Sequence, residues 1–317
     1  MTIVALPSFA QIQDAAARIA PHARVTPVLR NDALDALAGA RLYFKCENLQ
    51  RGGAFKFRGA SNAVWALDEA SAARGVVTHS SGNPGNALAM GAAIRGIRAH
   101  VVVPDGAVRA KLEAIERAGA VLHRCAPTQA AREAAVAQLM QDTGAIRVHP
   151  YADTQVMAGQ GTLALELLAQ APDLDALMTP VGGGGLASGV AIAAHALRPE
   201  LALYAAEPAG ADDAARSLAR GERVTDVVPQ TVCDGLRALV GETNLAALRE
   251  HRVDIVTVSD EETVAAMRLL WQELKQVVEV SSATAFAAVL KARDRFTGRR
   301  VGVVLTGGNV DLDALPW

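Results

Sequence analysis

The residue with the clearest chemical potential is Lys56, a lysine between two phenylalanines that follows a glycine pair and a predicted strand. A helix would begin at this point, and burial together with the positive end of the helix dipole disfavours the ammonium form. A lowered pKa makes the neutral amine available to condense with a carbonyl group. A solvated lysine whose stem packs on Phe55 also fits this loop taken alone.

Three further loops follow predicted strands and combine glycine with small polar side chains: residues 78–87, 180–187 and 305–311. The first, with Ser80-Ser81-Gly82-Asn83, places hydroxyl and N–H groups at a helix start, where a substrate carboxylate could bind. The third places Thr306 at the carboxyl end of the last strand, the edge at which α/β proteins bind ligands. An ordinary helix cap and an ordinary terminal turn fit the same residues.

The loop at 180–187 holds four consecutive glycines, residues 182–185, between a strand and a helix. Such a run costs backbone entropy, and it lets the backbone wrap around a phosphate at the helix start. The run also matches the pattern GxGxxA, with Glu207 at the end of the next strand, where a ribose-binding acid would lie. A dinucleotide site, and with it an NAD(P)-dependent oxidoreductase, therefore stays open beside a phosphate site, and a structural glycine turn is the third interpretation.

These loops are positioned by short β-rich segments that alternate with alanine-rich helical segments along nearly the whole chain. Such alternation predicts crossover connections and a mostly parallel sheet covered on both faces, which is an α/β fold. The predicted strands exceed one typical doubly wound unit, so two lobes with a ligand cleft between them are expected. They are residues 42–46, 76–79, 99–103, 121–125, 146–149, 177–181, 203–206, 255–258 and 301–305.

The composition excludes several classes of protein. The chain has 317 residues with 31 Lys+Arg against 33 Asp+Glu, a formal net charge of -2, and 51% hydrophobic residues. It is too apolar for a disordered chain, and the near-neutral balance argues against a nucleic-acid partner. Three scattered cysteines without a CxxC pair argue against a disulfide framework or a structural zinc site and indicate a reducing, cytoplasmic location. The longest uncharged stretch, 176–194, contains Pro180 and the glycine run, so no membrane partner is expected.

Taken together and in this order, the four loops resemble those of the fold-type II pyridoxal-phosphate (PLP) enzymes, nearest to the serine/threonine dehydratase and serine racemase group. The resemblance extends to His149-Pro150, to residues 159–162 and to Cys233-Asp234-Gly235. It implies a fold like that of the tryptophan synthase β chain, with two lobes that each carry a twisted, mostly parallel sheet and with PLP in the cleft. It further implies a homodimer, a small lobe of residues 70–150, and a large lobe of residues 1–69 and 151–317.

The same resemblance assigns roles to individual residues. Lys56 would be the Schiff-base lysine, and Ser81 would lie on the opposite face of the cofactor ring as a second catalytic residue. Thr306 takes the place of a serine that meets the pyridine nitrogen. The other cofactor-binding residues would be Phe55, Asn83, Gly182, Gly183, Gly184 and Gly185, and the residues that bind an amino-acid substrate would be Ser80, Ser81, Asn83, Arg132 and Ala238. For Arg132, a solvated helix residue is the alternative.

The resemblance also covers a metal site in the segment 207–213. Glu207, the backbone carbonyl of Ala211 and Asp213 would bind Mg²⁺ or Mn²⁺, since hard oxygen ligands completed by water suit these ions. A solvated acidic loop is the alternative interpretation. Glu207 also weighs against the dinucleotide site, because one residue cannot serve a ribose and this metal loop at once.

The reaction that the resemblance implies is α,β-elimination of water from a β-hydroxy amino acid such as threonine or serine, which yields a 2-oxo acid and ammonia. A hydroxyl such as that of Thr306 cannot keep the pyridine nitrogen protonated as an aspartate would. The cofactor is then a weaker electron sink, so prompt loss of the β-hydroxyl is favoured over transamination. Racemisation through Ser81 and β-replacement of the cysteine synthase type stay open as alternatives.

Several positions depart from the pattern of this group: Pro84 replaces a histidine, Ala238 and Ala54 replace serines, and Val280 replaces a proline. Three polar side chains are thereby lost around the lysine and the substrate. Their loss weakens discrimination for small polar substrates and makes space for apolar groups. The sequence therefore predicts a bulkier or aromatic β-substituent, as in phenylserine, alongside or in place of threonine and serine. The missing histidine also weakens the case for a racemase.

Overall fold

The computed structural model describes residues 5–317, and within them ten β-strands form two separate sheets. The strands are β1 (Val28–Leu29), β2 (Arg41–Cys46), β3 (Val76–His79), β4 (Ala99–Pro104), β5 (Val121–Cys125), β6 (Ile146–Arg147), β7 (Ala176–Pro180), β8 (Ala202–Pro208), β9 (Asp254–Val258) and β10 (Arg300–Leu305). The helices are α1 (Phe9–Ile19), α2 (Asp32–Ala38), α3 (Lys56–Trp65), α4 (Glu69–Ala73), α5 (Asn83–Arg95), α6 (Arg109–Arg117), α7 (Gln129–Thr143), α8 (Thr154–Gln170), α9 (Gly185–Leu197), α10 (Asp213–Arg220), α11 (Glu242–Glu250), α12 (Asp260–Gln272), α13 (Val280–Lys291) and α14 (Arg293–Phe296), with short 3₁₀ helices at Glu47–Leu49, Arg51–Gly53, Ala209–Ala211 and Asp234–Leu236. Among the described residues no helix is both long enough and apolar enough to cross a bilayer.

The helix starts differ in a way that matters for ligand binding. The side chain of Asp153 caps α8, and Ser259 forms a capping box with Glu262 at the start of α12. By contrast, α5 and α9 start from Gly82 and Gly184, and neither helix has a side-chain cap, which is also true of α3, α6, α10, α11, α13 and α14. The first N–H groups of a helix have no partner within the helix, so these two uncapped ends are free to receive a ligand.

The six-stranded sheet has the order β1-β2-β10-β7-β8-β9; β1 is antiparallel to β2 and the other pairs are parallel. The last strand in the sequence, β10, lies between β2 and β7, with Val301 opposite Leu42 and Ala176. One face packs on α1, α8 and α9, and the other on α12 and α13. Because both faces are covered, the unalternating apolar run of β10 is buried.

The four-stranded sheet has the order β5-β4-β3-β6, and all its pairs are parallel. Its strands come from residues 76–147, with α5 and α6 packed on one face and α7 on the other. Helix α3 lies between α5 and α8 and so connects the two parts of the molecule. Its apolar residues, among them Phe57 and Val64, are fully buried in that contact.

The structure confirms the predicted α/β fold with two mostly parallel sheets, and each predicted strand is found with its ends displaced by at most two residues. The strand predicted at 146–149 ends at Arg147, shortly before Pro150, which has no N–H group to extend the ladder. Strand β1 was not predicted, because two residues carry no alternating pattern. The lobe boundaries stay a prediction, and residues 1–4 of the predicted large lobe lie outside the described residues.

Candidate active site

The predicted loops meet at the carboxyl edge of the six-stranded sheet. The loops after β2, β7 and β10 share this edge because their strands are parallel. The first and the last are joined directly, since the N–H of Phe55 donates to the carbonyl of Thr306 at 2.9 Å. The loop after β3 comes from the other sheet and reaches the same place through Asn83, whose side chain contacts Glu279 and Asn309.

Lys56 is the first residue of α3, as predicted. Its Nζ donates to the carbonyl of Pro150 at 3.2 Å and lies 4.9 Å from the centre of the Phe55 ring. Burial lowers the pKa of Lys56 to about 8, and the negative charge of Glu279 partly opposes this shift. The side chain is therefore a partly buried amine with a depressed pKa, which favours the reactive amine over a fully solvated lysine.

The first turn of α3 is held by a buried charge network that centres on Arg58. The Arg58 guanidinium donates to both carboxylate oxygens of Glu47, at 2.7 and 2.8 Å, and to both oxygens of Glu166, at 2.7 and 2.8 Å. Lys45 adds a bond from Nζ to Glu166 at 2.7 Å. Arg58, Glu47 and Lys45 are almost completely buried. Since Arg58 stands two residues after Lys56, this network fixes the start of α3 and with it the origin of the Lys56 side chain.

The glycine turn after β7 is crowded on its outer side. A Cβ added to Gly182 would lie 2.9 Å from Cα of Leu236, and one added to Gly183 would lie 2.5 Å from the Tyr151 ring. Gly184 has a left-handed φ of 90° and Gly185 begins α9. Larger residues are therefore excluded by close contacts and, at Gly184, by backbone conformation. Within the described residues, the N–H groups of Gly182, Gly183 and Gly184 donate no hydrogen bond, which suits an anion cradle.

The loop after β3 presents small polar groups at the uncapped start of α5. The N–H of Gly82 donates to the hydroxyl of Ser80 at 3.2 Å, and Ser81 is partly exposed. Asn83 donates from Nδ2 to both oxygens of Glu279, at 2.9 and 3.2 Å. Burial raises the pKa of Glu279 to about 7, and the hydrogen bond from Asn83 opposes the rise.

The two other predicted substrate-binding residues lie apart from this cluster of contacts. Arg132 is in the first turn of α7, and its Nε is buried without a hydrogen-bond partner among the described residues. Ala238 follows the 3₁₀ helix at Asp234–Leu236 and is partly exposed. Among the contacts of the described residues, no hydrogen bond or ion pair joins Arg132 to Lys56 or Ser81. The structure therefore brings Lys56, Asn83 and Thr306 together more directly than Arg132 and Ala238.

The predicted metal ligands lie where β8 ends and α10 begins. Glu207 is completely buried, and its two oxygens accept from the N–H groups of Ala214 and Ala215 at 2.9 and 2.8 Å. Asp213 accepts from the N–H of Val240 at 2.7 Å, and the Ala211 carbonyl belongs to the intervening 3₁₀ helix. Burial raises the pKa of Glu207 to about 8 and that of Asp213 to about 6.

Two buried carboxyl groups with raised pKa values and a nearby carbonyl form an oxygen donor set of the kind that hard divalent cations prefer. Within residues 5–317, however, no group of three or more His, Cys, Asp or Glu side chains is arranged to hold a metal ion. A cation here would depend on backbone and water oxygens. Glu207 accepts one hydrogen bond at each oxygen from the start of α10 and keeps further lone pairs for a ligand.

Three residues in contact with the site were missed as functional candidates. Glu279 receives the bonds from Asn83, Tyr151 packs on Gly183, and His149 lines a cavity together with Lys56. His149 accepts from the N–H of Ala152 at 2.9 Å, and burial lowers the pKa of His149 to about 3. In the sequence, Glu279 is the acid directly before Val280, the position at which the family usually has a proline, and His149 and Tyr151 flank Pro150.

The arrangement can hold a ligand with a carbonyl group at one end and a phosphate at the other. Pro150 and Tyr151 are chain neighbours, and they contact Lys56 and the glycine turn respectively. The amine with a depressed pKa and the open N–H groups are therefore close together. PLP has both an aldehyde and a phosphate, so the residues fit this cofactor.

Comparison with known proteins agrees with this geometry. The family model described as pyridoxal-phosphate dependent enzyme matches residues 19–307. A β-hydroxyaspartate dehydratase of Paracoccus denitrificans (strain Pd 1222) is 47% identical over 98% of this chain and 99% of its own length. The structure of maize serine racemase has a TM-score of 0.95, with 41% identity over 98% of this chain and 95% of that one. The structure of the T.th. threonine deaminase has a TM-score of 0.91, with 41% identity over 96% of this chain and 99% of that one.

Proposed function

The chain belongs to the pyridoxal-phosphate dependent enzymes of fold type II, and we propose that it is a dehydratase that removes water from a β-hydroxy amino acid to yield a 2-oxo acid and ammonia. The observation that carries the proposal is the amine of Lys56, whose pKa is lowered to about 8 at a position beside an anion cradle. The Paracoccus relative, named for a dehydratase, supports the reaction class.

The cofactor would be held by residues from each of the four loops. Gly182, Gly183, Gly184 and Gly185 offer N–H groups and the positive end of α9 to its phosphate. Thr306 would offer a hydroxyl to the ring nitrogen, and Asn83 and Phe55 would help to hold the ring. Bound PLP supplies an aldehyde for the amine of Lys56 or of the substrate and a ring that withdraws electrons from the substrate α-carbon.

The chain's own residues would then handle the substrate and its protons. Ser80, Ser81 and Asn83 bind the substrate carboxylate at the start of α5, where N–H groups and the helix dipole favour an anion. Lys56, once its amine is free, takes the proton from the substrate α-carbon, and its depressed pKa raises the fraction of neutral amine at a given pH.

The substrate is proposed to carry a bulky or aromatic β-substituent, as in phenylserine. The support is the loss of polar side chains at Ala54, Pro84 and Ala238; Pro84, in place of the family's histidine, lies beside Lys56 in a small cavity that also includes the polar residues Thr78 and Gln160. An acidic β-substituent is the second candidate, supported by the 47% identical β-hydroxyaspartate dehydratase and by the buried, unpartnered Nε of Arg132. A ligand carboxylate near the partly exposed Arg132 would give this Nε–H an acceptor.

The test is a steady-state comparison of L-serine, L-threonine, L-threo-phenylserine and β-hydroxyaspartate, scored by release of the 2-oxo acid. We expect phenylserine or β-hydroxyaspartate to have the highest kcat/KM, and Arg132→Leu to lower kcat/KM for the acidic substrate alone. Lys56→Ala is expected to be inactive on every substrate, and Lys275→Ala, which changes an exposed lysine, is the matched control. A clear preference for serine refutes the proposed substrate class.

Racemisation is the second candidate activity, because the maize serine racemase is so similar in structure. It requires an acid on the face of the substrate opposite Lys56, the role assigned to Ser81. Chiral analysis of serine after incubation distinguishes the two reactions. If D-serine accumulates faster than the 2-oxo acid, and Ser81→Ala abolishes only the formation of D-serine, the enzyme is mainly a racemase. The same assay with added thiols tests β-replacement.

The remaining assignments are also proposals. We propose a cytoplasmic homodimer with a small lobe of residues 70–150 inserted in a large lobe of residues 1–69 and 151–317. The position of the four-stranded sheet within residues 76–147 supports the boundaries of the small lobe. Light scattering after size exclusion tests the dimer, and limited proteolysis tests the boundaries.

A further inference from the structure

A second cavity, of about 370 Å³, opens at the C-terminal ends of α9 and α11. The glycine turn lies at the opposite end of α9, so this cavity is separate from the proposed active site. His195, in the last turn of α9, and His251, which caps the end of α11, both line it. Glu250 and Arg252 also border it.

The imidazole rings of His195 and His251 face each other through their Nδ1 atoms. Nδ1 of His195 lies 3.2 Å from Nδ1 of His251, and the ring centres are 5.3 Å apart. The other nitrogen of His195, Nε2, lies 3.2 Å from the carbonyl of Leu201. A carbonyl can only accept, so Nε2 carries the proton and Nδ1 of neutral His195 presents a lone pair toward Nδ1 of His251. This is the arrangement that orients metal-binding histidines in proteins.

We propose that His195 and His251 form a binding site for a transition-metal ion such as Zn²⁺. With zinc–nitrogen bonds of about 2.0–2.1 Å and tetrahedral angles, two ligand nitrogens are about 3.3 Å apart. The observed separation of 3.2 Å is close to this value, so rotation of the two rings would let one ion bind to both Nδ1 atoms. On binding, His251 loses the proton from Nδ1 and carries one on Nε2 instead, which has no partner among the described residues.

The surroundings favour a cation over an anion. Both histidines lie at helix C-termini, where the dipole and the last carbonyl groups are negative. The carboxylate of Glu250 adds to this potential, and the exposed side chain of Arg252 can turn away into solvent. Since no set of three or more side-chain ligands occurs within residues 5–317, water completes the coordination and the ion exchanges readily. Imidazole ligands select zinc, copper or nickel over magnesium.

Binding would tie together two helices that both reach the glycine turn. Helix α9 begins at Gly185, and Asn244 of α11 packs on Gly184. The hydroxyl of Ser188 also lies 3.3 Å from the carbonyl of Asn244. The ion would thus connect the far ends of α9 and α11, and metal binding is expected to raise the unfolding temperature of the enzyme.

The experiment is calorimetric titration of the PLP-loaded protein with Zn²⁺ in the presence of excess Mg²⁺, which occupies any oxygen-ligand site. Wild-type protein is compared with His251→Ala. The matched control is His123→Ala, because His123 belongs to the other hydrogen-bonded histidine pair, with its Nε2 at 2.9 Å from Nδ1 of His100. A thermal unfolding scan with and without Zn²⁺ is recorded for all three proteins.

We expect one Zn²⁺ per chain in the wild type and in His123→Ala, with the same Kd and the same increase in unfolding temperature. His251→Ala should lose the Zn²⁺ binding and the increase in unfolding temperature, while its circular dichroism and its dehydratase activity stay unchanged. If His251→Ala misfolds, His251→Gln serves in its place. Equal binding by the wild type and the folded His251 variant, or absence of binding in the wild type, overturns the proposal and leaves a proton-sharing pair.

Discussion

The side-chain amide of Asn83 donates to both carboxylate oxygens of Glu279, while its own carbonyl accepts from Nδ2 of Asn309 at 2.8 Å. This contact spans the two parts of the molecule, because Asn83 follows the four-stranded sheet and Glu279 precedes α13 against the six-stranded one. Glu279 as the acceptor and Asn309 as the donor determine the orientation of the Asn83 side-chain amide. Asn83 is therefore oriented before a cofactor arrives.

The first prediction follows from that orientation. Replacing Glu279 by Leu removes the acceptor, so that Asn83 can rotate and leave its amide unpaired. We expect weaker cofactor binding by about 1–3 kcal/mol, the cost of an unsatisfied polar group. The measurement is a spectrophotometric titration of the apoprotein with PLP. Asn86→Ala, one turn further along α5, is the matched control and should bind PLP as the wild type does. Equal affinity in all three proteins would contradict the prediction.

The second prediction concerns the pH dependence of cofactor uptake. Burial lowers the pKa of Lys56 from its ordinary 10.5 to about 8, so the neutral amine, which reacts with an aldehyde, forms as the pH rises through about 8. The rate of PLP uptake by the apoprotein should rise with pH and level off above that value. Glu279→Gln removes a charge that raises the pKa of Lys56, so its profile should shift to lower pH.

Stopped-flow absorbance at a series of pH values measures this profile. A free alkyl amine of ordinary pKa, treated with PLP under the same conditions, corrects for titration of the cofactor itself. An inflection for the protein near the ordinary lysine value would show that Lys56 is not desolvated in solution.

The third prediction concerns the network around Arg58. Arg58→Met leaves the completely buried Glu47 without its cation, and removal of one partner of a buried pair costs about 3–5 kcal/mol. Urea unfolding at neutral pH measures this loss. Arg109→Met, which breaks an exposed pair with Glu113, is the matched control and should cost about 1 kcal/mol or less. The double change of Arg58→Met and Glu47→Met should recover much of the loss.

The same network has an expected acid dependence. Burial disfavours the charged form of Glu166, but hydrogen bonds and charges from Arg58 and Lys45 outweigh it and hold the pKa of Glu166 below its ordinary 4.5. A carboxyl with a depressed folded-state pKa stabilises the fold above its ordinary pKa, and this contribution is lost as the pH falls through the folded-state pKa. The unfolding free energy of wild type should therefore fall more steeply below pH 4.5 than that of Arg58→Met.

The fourth prediction concerns Glu207 and Asp213. If they bind Mg²⁺ or Mn²⁺, the ion should raise the unfolding free energy by about 2.7 kcal/mol at a concentration 100 times its Kd. Because burial raises the pKa values to about 8 and about 6, metal must displace protons, and binding should be stronger at higher pH. Thermal scans with added Mg²⁺ or EDTA measure this. Asp213→Asn should abolish the shift, whereas Asp212→Asn, the partly exposed neighbour, should retain it.

Much of the site could be predicted from the sequence because its parts are local. The strand ends, the glycine run and the start of α3 at Lys56 follow from short patterns, and parallel strands then bring their carboxyl ends to one edge. The order of the loops was enough to identify the family, whose model matches residues 19–307. Strand β1 is the exception among the elements, since two residues contain no pattern to detect.

The tertiary structure alone decided which side chains act on one another across long distances in the chain. Asn83 and Glu279 are 196 residues apart, and Lys45 and Glu166 are 121 apart. His195 and His251 come together only because α9 and α11 pack side by side. Residue type and spacing determine which backbone segments form, because those forces act between neighbours. Burial, pKa and the pairing of distant polar groups depend on how the finished elements pack, and no local pattern in the sequence encodes them.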